Sequence, residues 1–337
     1  MIAAAMKSIE NRKNQGPLVS IGVPVYNGER FIRAVLDSLL AQSYTNLEIV
    51  ISDNASTDGT AAICQDYAAR DRRIRYFRSA VNVDVDANFW RAFELSSGEY
   101  FTWTAADDVR PRYAIEECLR ALLANTNAVM AHGGILVKAD GRELEAVAND
   151  ICLSDKSARK RIAAFTRGLQ HNAMLYGLYR RSALARCTWK RRLGNDYLLC
   201  LQICLLGAME HIHKPMITYD QRRLRANYIH TPMYQERRIT LYDVLRGRRP
   251  RKCLLVLLFG SYYLLKLPGV LLSERLGGVT AHILTFLVRY RSRLAKEVLF
   301  KLCAPVSWVS RVCWDLAGRW RLSYIVSRKL RDTKARA

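Results

Sequence analysis

Over roughly its first 125 residues the chain alternates two hydrophobic patterns, short solid apolar runs and longer stretches with one apolar face. Leu18-Val-Ser-Ile-Gly-Val-Pro24, ended by Pro24 and the turn Asn27-Gly28, predicts a buried strand. From about Phe31 to Gln42, residues Ile32, Val35, Leu36, Leu39 and Leu40 share one face of a helix. Leu47–Ser52 predicts a second strand, and Thr57-Asp58-Gly59-Thr60 opens a second helix that runs to about Ala69. Ile74–Arg78 predicts a third strand, Asp86–Leu95 a third helix and Tyr100–Thr104 a fourth strand. Pro111 suits the first turn of the helix that follows.

Such alternation predicts an α/β fold, a mainly parallel sheet with helices on both faces. Ligands of these sheets bind at the carboxyl ends of the strands. Tyr26, Asp53 and Asp107 all fall at such ends. After about Asn125 the alternation fades: Val129–Val137, Met174–Tyr179 and Ala208–Tyr219 read as strands, Asn195–Leu206 as a helix. The expected organisation is a flexible segment over 1–16, a nucleotide-binding half over 17–125, a half for a second substrate over 126–220, and a basic, aliphatic helical region over 221–337.

Composition is globular, half hydrophobic and a quarter charged, but the net charge of +23 demands an anionic partner. From Gln221 onward there are about 25 Lys and Arg against about six acidic residues, so the last third carries most of the excess. There the cations flank aliphatic runs. Cys253–Leu265 is apolar but stops at Lys266; extended to Leu272 it is a 20-residue span that must accept Gly260, Lys266 and Pro268, borderline for crossing a membrane. Stretches around 281–288 and 298–320 mix aliphatics with Arg, Lys, Trp308, Trp314 and Trp320, which suits helices lying in the headgroup region. The cluster Arg246–Lys252 then faces the cytoplasm. A packed helical subdomain with a solvated basic face is the other reading. Residues 1–16 lack the apolar core of a signal peptide, and nine scattered cysteines suit a reducing compartment. The expectation is a cytoplasmic enzyme, peripheral or monotopic on the inner face of the cell membrane. Interleaved aromatics and a binding module, which nucleic acid would need, are missing, so no nucleic-acid partner is expected.

Asp107-Asp108, just past a strand, can hold Mg²⁺ or Mn²⁺, cations that share oxygen ligands with substrate phosphates. The pair can equally form a turn or a helix N-cap before Pro111. Asp53-Asn54 can read the hydrogen-bonding edge of a base, while Ser56, Thr57 or Asp58 caps the next helix. Arg222, within Gln221-Arg222-Arg223, could reach a diphosphate or belong to a solvated turn. His211 and His213 read as packing or surface residues, and Cys200 and Cys204 as small buried hydrophobes.

Three motifs, Ile21-Gly-Val-Pro-Val-Tyr-Asn-Gly-Glu29, Ser38-Leu-Leu-Ala-Gln-Ser-Tyr-Thr-Asn-Leu-Glu-Ile-Val50 and Ser52-Asp-Asn-Ala-Ser-Thr-Asp-Gly-Thr60, stand in order. Together they closely resemble the opening of family 2 glycosyltransferases, enzymes of the Rossmann-like GT-A fold that usually invert the anomeric centre. The resemblance runs from about Leu18 to Tyr219 and is strongest up to Asp108. It implies a nucleotide-sugar pocket of Pro24, Val25, Tyr26, Glu29, Asp53, Asn54, Ala106 and Asp107, with Asp53 and Asn54 on the base, typically uracil. It implies metal binding by Asp107 with Asp108 beside it. The usual first Asp of the family's Asp-x-Asp element is replaced by Ala105. Gly194–Gly207 is similar to the segment in which an acidic residue opens a helix, which makes Asp196 the implied general base. The implied reaction moves a sugar from a nucleotide donor, typically a UDP-sugar, to a glycan or lipid-linked acceptor in cell-surface polysaccharide or glycolipid synthesis. A nucleotidyltransferase of similar architecture would carry a Gly-rich, Lys/Arg-containing loop after the first strand, where this chain has Tyr26-Asn-Gly-Glu-Arg30.

Overall fold

In a computed structural model of the chain, the described residues are 16–139, 142–147, 151, 153–168, 173–189, 195–220, 270 and 272–285. Eight strands form one sheet: β1 (Val19–Val25), β2 (Leu47–Asp53), β3 (Ile74–Arg78), β4 (Tyr100–Trp103), β5 (Ala128–Ala139), β6 (Arg142–Val147), β7 (Leu178–Arg180) and β8 (Ala208–Asp220). Their order is β3-β2-β1-β4-β7-β5-β6, and β8 runs along the other edge of β5. The first four are parallel neighbours, while β7 is antiparallel to both β4 and β5, which leaves β4 and β5 pointing the same way. The sheet is thus mostly parallel, as the alternation predicts.

The helices are α1 (Ile32–Leu40), α2 (Thr60–Arg70), α3 (Val85–Glu94), α4 (Ala114–Ala124), α5 (Ala158–Gly168), α6 (Arg181–Leu184) and α7 (Asn195–Leu206); residues 272–285 are also helical. Two cores follow from the strand period of two, which sends successive side chains to opposite faces. Ile21 and Val23 pack with Leu36, Ile63 and Leu119 of α1, α2 and α4. Phe101 and Trp103 pack with Phe93, Phe165 and Leu201 of α3, α5 and α7. This is a three-layer helix–sheet–helix sandwich.

The sequence-derived bounds need four corrections. β1 continues through Pro24 to Val25. Strand alternation turns the missing N–H of Pro24 toward β4, where the ladder has already ended at Gly22, so no bond is lost. Pro111 lies in the turn before α4, where its carbonyl accepts from Ala114 N (3.0 Å) and Gln42 Nε2 (2.9 Å). The strand expected over Met174–Tyr179 is a 3₁₀ turn over Ala173–Tyr176 followed by the short β7. Gly177 sits at that break, where a Cβ would stand 2.7 Å from the Ala131 carbonyl oxygen. Finally, α5 and β6 have no counterpart in the hydrophobic pattern. The expectations for 1–15 and for Arg222 and the rest of 221–269 and 286–337 lie outside the described residues.

Candidate active site

Two loops leave the sheet side by side because Val25 and Asp53 are partners in the β1–β2 ladder, and Asn54 N donates to Val25 O (2.8 Å). Side chains lace them together. Asn27 N donates to Ser56 Oγ (3.0 Å), Gly28 N to Thr60 Oγ1 (2.8 Å) and Glu29 N to Asp58 Oδ2 (3.1 Å). In return Thr57 N donates to Asn27 Oδ1 and Gly59 N to Glu29 Oε2, both at 2.8 Å. Glu29 thereby places a carboxylate at the N-terminus of α2, where the helix leaves its N–H groups unpaired. Asp58 caps the same end through Thr60 N (3.0 Å). Burial raises the Asp58 pKa, but the hydrogen bonds from Thr60 and the Glu29 backbone outweigh it and hold it below the usual carboxylate value. Asn27 and Ala55 adopt positive φ (51° and 60°), so both turns are sharp. Pro24 and Val25 are buried beneath them, and Tyr26 presents its ring at 40% exposure.

Asp53 is fully buried. Its Oδ1 accepts from Ser56 N (2.9 Å) and its Oδ2 from the Tyr76 hydroxyl (2.6 Å), with Arg78 Nε at 3.6 Å. Burial and the adjacent carboxylate push the Tyr76 phenol above its ordinary pKa. Half-exposed Arg78 also donates to Ser56 O (2.7 Å) and lies across the Asp53 loop. Asn54 is committed differently: its Nδ2 donates to Asn82 Oδ1 (2.9 Å) and Val83 O (2.7 Å), and its Oδ1 accepts from Val83 N (2.8 Å). It pins the loop that follows β3.

β4 pairs with β1 up to Gly22–Trp103, and Thr104 N continues the contact to Gly22 O (2.9 Å). The segment Ala105–Asp108 therefore emerges beside Tyr26. Ala106 and Asp107 are partly exposed, whereas Asp108 is buried. Beneath this turn lies Arg110, buried and bonded to Thr104 Oγ1, Thr102 Oγ1, Trp103 O and Tyr176 O at 2.6–2.8 Å. Burial lowers its pKa to about 10, with Asp108 opposing the shift. No group of three or more His, Cys, Asp or Glu is arranged for a metal among the described residues. The donor set is a carboxylate pair, which fits Mg²⁺ or Mn²⁺ only if phosphate and water complete the shell.

Asp196 is partly exposed in the first turn of α7, and its Oδ1 accepts from Tyr197 N (2.8 Å). It lies within electrostatic reach of the Tyr179 phenol, which contacts the carbonyls of Met174 (3.2 Å) and Leu175 (3.1 Å). The start of α7 thus borders the 173–176 turn that Arg110 ties to the Asp107 loop.

The family model described as "Glycosyl transferase family 2" matches residues 20–188, half of the chain. The chain is a family 2 glycosyltransferase. Curated relatives include a glycosyltransferase of Rickettsia bellii, 32% identical over 47% of this chain and 23% of its own length. The putative glycosyltransferase EpsE of Bacillus subtilis is 32% identical over 37% of this chain and 45% of its own. The chain thus spans less than half the length of these relatives. Among solved structures, residues 1–349 of TarS from S. aureus in complex with UDP-GlcNAc superpose with a TM-score of 0.58 at 16% identity, covering 81% of this chain and 73% of that one. That likeness is one of fold, GT-A.

In the glycosyltransferase Pro24–Tyr26, Asp53–Asn54 and Ala106–Asp108 lie at the carboxyl ends of three neighbouring strands. Sequence reasoning missed Tyr76, Arg78, Arg110 and Tyr176. Tyr76 and Arg78 could have been found, because they alternate on the carboxyl half of a strand that the pattern already places beside β2. Arg110 had no local signal, since nothing in the sequence marks an arginine for burial.

Proposed function

We propose that this glycosyltransferase moves a sugar from a UDP-sugar, with inversion, to a hydroxyl of a glycan or lipid-linked acceptor in cell-surface polysaccharide or glycolipid synthesis, working as a cytoplasmic enzyme at the inner face of the membrane. The observation that carries the donor side is the convergence of Tyr26, Asp53 and Asp107 at the ends of adjacent parallel strands. TarS, which binds UDP-GlcNAc, makes uridine diphosphate sugars the first donors to try.

In this reading Tyr26 packs against the nucleotide, and Arg78 reaches the base or the diphosphate. Buried Asp53 orients Ser56, Tyr76 and Arg78, and meets the base once Arg78 moves aside. Glu29 and Asn54 shape the pocket from behind, because their polar atoms are engaged with α2, with the Asn82 side chain and with the Val83 backbone. Partly exposed Asp107, with buried Asp108 beside it, would hold Mn²⁺ or Mg²⁺, and Ala106 lies in the same turn. The metal would neutralise charge developing on the departing diphosphate. Arg222 is assigned to the same diphosphate. Asp196 takes the proton from the acceptor hydroxyl as that oxygen attacks the anomeric carbon on the side opposite the leaving group.

A screen of nucleotide sugars by nucleotide release, with Mn²⁺ and with chelator, tests this reading. One donor is expected to be turned over, and Asp107→Ala to abolish both turnover and the metal dependence of donor binding. If no nucleotide sugar is bound or hydrolysed, and Asp107→Ala matches the parent, the assignment fails.

A further inference from the structure

The helical residues 272–285 have two opposite faces. One is docked: His282 is buried, its Nδ1 3.2 Å from Thr166 Oγ1 of α5 and its ring 6.2 Å from that of Tyr197 of α7. Val279, Ala281 and Ile283 pack on the core beside it, and Gly277 passes so close to Arg159 that a Cβ would sit 3.1 Å from that side chain. The other face is apolar and open. Leu272, Leu276 and Leu284 are 61%, 50% and 59% exposed, three of the seven large exposed hydrophobics among the described residues. With Thr280 they follow a spacing of four, which stacks side chains along one side of a helix. Thr280 turns its hydroxyl back to Leu276 O (2.9 Å), so the stripe carries no charge, and its polar members are Thr280 and exposed Ser273. Glu274 and Arg275 fall outside that spacing.

We infer that the Leu272–Leu276–Leu284 face is a docking surface for an anionic lipid bilayer, and that it holds the start of α7, with Asp196, in a fixed relation to the membrane. Charge complementarity decides the occupant. Five of the seven residues from Arg246 to Lys252 are basic, and Arg289, Arg291, Arg293 and Lys296 follow the helix closely. An apolar stripe bracketed in sequence by cations is what an interfacial helix needs: leucines for the acyl boundary, cations for the headgroups. None of the described helices is long and apolar enough to cross a membrane. The docked face makes the contact directional, because α7 lies directly behind the helix. The inference deepens the proposed membrane location and rests on that part of the reading, not on the identity of donor or acceptor.

The test is flotation of the full chain with vesicles of phosphatidylcholine alone or with about one third phosphatidylglycerol. The parent is expected to float with the anionic vesicles. The triple variant Leu272→Ser, Leu276→Ser, Leu284→Ser is expected to partition at least about ten-fold less, because three half-exposed leucines no longer enter the acyl boundary. Leu123→Ser, at an equally exposed leucine of α4, is expected to float like the parent. Leu276→Trp, a milder change, is expected to lose more fluorescence than the parent to bromine-labelled acyl chains. A parent that does not float, a triple variant that floats like the parent, a Leu276→Trp variant quenched no more than the parent, or a triple variant that shifts to a smaller particle in vesicle-free solution would each overturn the inference, the last by assigning the face to a second copy. Nucleotide release in solution is read in parallel: if it persists while flotation fails, only the docking surface is lost.

Discussion

Arg110 Nη2 donates to the Tyr176 carbonyl at 2.8 Å, joining the turn that carries Asp107 and Asp108 to the 3₁₀ turn ahead of β7. Through this one guanidinium the carboxyl end of β4 is coupled to the segment that borders Asp196. Arg110→Met leaves two buried carbonyls and two threonine hydroxyls without their charged donor, at a cost of about 3 kcal/mol, and Arg110→Lys about half of that. Urea unfolding midpoints measure both. The lysine variant is expected to fold yet transfer sugar about ten-fold more slowly, because a loosened Asp107 turn misplaces the diphosphate.

Asp196→Asn tests the proposed general base and separates chemistry from binding. Loss of such a base is expected to lower turnover by roughly 10²- to 10⁴-fold. Donor affinity, measured by calorimetry, is expected to stay at the parent value, since nothing on the β1–β2 side of the pocket changes. An unchanged rate would exclude Asp196 as the base.

Asn54→Ala removes three hydrogen bonds to Asn82 and Val83. The expected loss is about 2–3 kcal/mol, with the 79–84 loop released first. Limited proteolysis should then cut in that loop, and donor binding should weaken through Arg78 rather than through any contact of residue 54 itself. A variant that resists cleavage like the parent would show that the loop is held otherwise.

These expectations rest on features of unequal visibility in the sequence. The ends of β1, β2 and β4 were legible because a buried parallel strand is a solid apolar run, and the polar residue that follows it marks its carboxyl end. The second half resisted for reasons visible in single residues. Arg161 sits on the buried face of α5 and spends its guanidinium on the Cys204, Asp155 and Lys156 carbonyls, so the helix looks polar where it is internal. Gly177 interrupts a stretch whose composition is that of a strand. Arg110 meets the Tyr176 carbonyl through a contact between residues far apart in the sequence, and no local pattern reports such a contact.

Burial pushes the His282 imidazole down to about 4. The sign follows directly: between pH 6.5 and about 4 the unfolded chain binds a proton that the folded chain refuses, so stability falls with falling pH. At about pH 5 the loss attributable to His282 is about 2 kcal/mol. Melting curves of the parent and His282→Asn from about pH 7 to about pH 5 check this. The variant is expected to lose less stability over that interval, and parallel curves would remove His282 as the cause.

The five cysteines among the described residues are expected to be inert in the native state. Burial raises the thiol pKa of Cys64, Cys118 and Cys204 to about 12 and moves Cys187 and Cys200 upward as well. A thiolate is the reactive form, so maleimide labelling followed by mass spectrometry should find all five protected without denaturant. Rapid native labelling of Cys64, which lies near Asp53 in α2, would mean that the base end of the pocket opens.

The lacing of Glu29 to Gly59 and of Asn27 to Thr57 also bears on how the proposed nucleotide donor would be received. Loops fixed to each other before the ligand arrives have already lost their conformational freedom, so that loss occurs once, during folding, and not at every encounter. Donor association should therefore show only a small unfavourable ordering entropy on this side of the pocket, and any induced movement should be concentrated across the sheet, around Arg78.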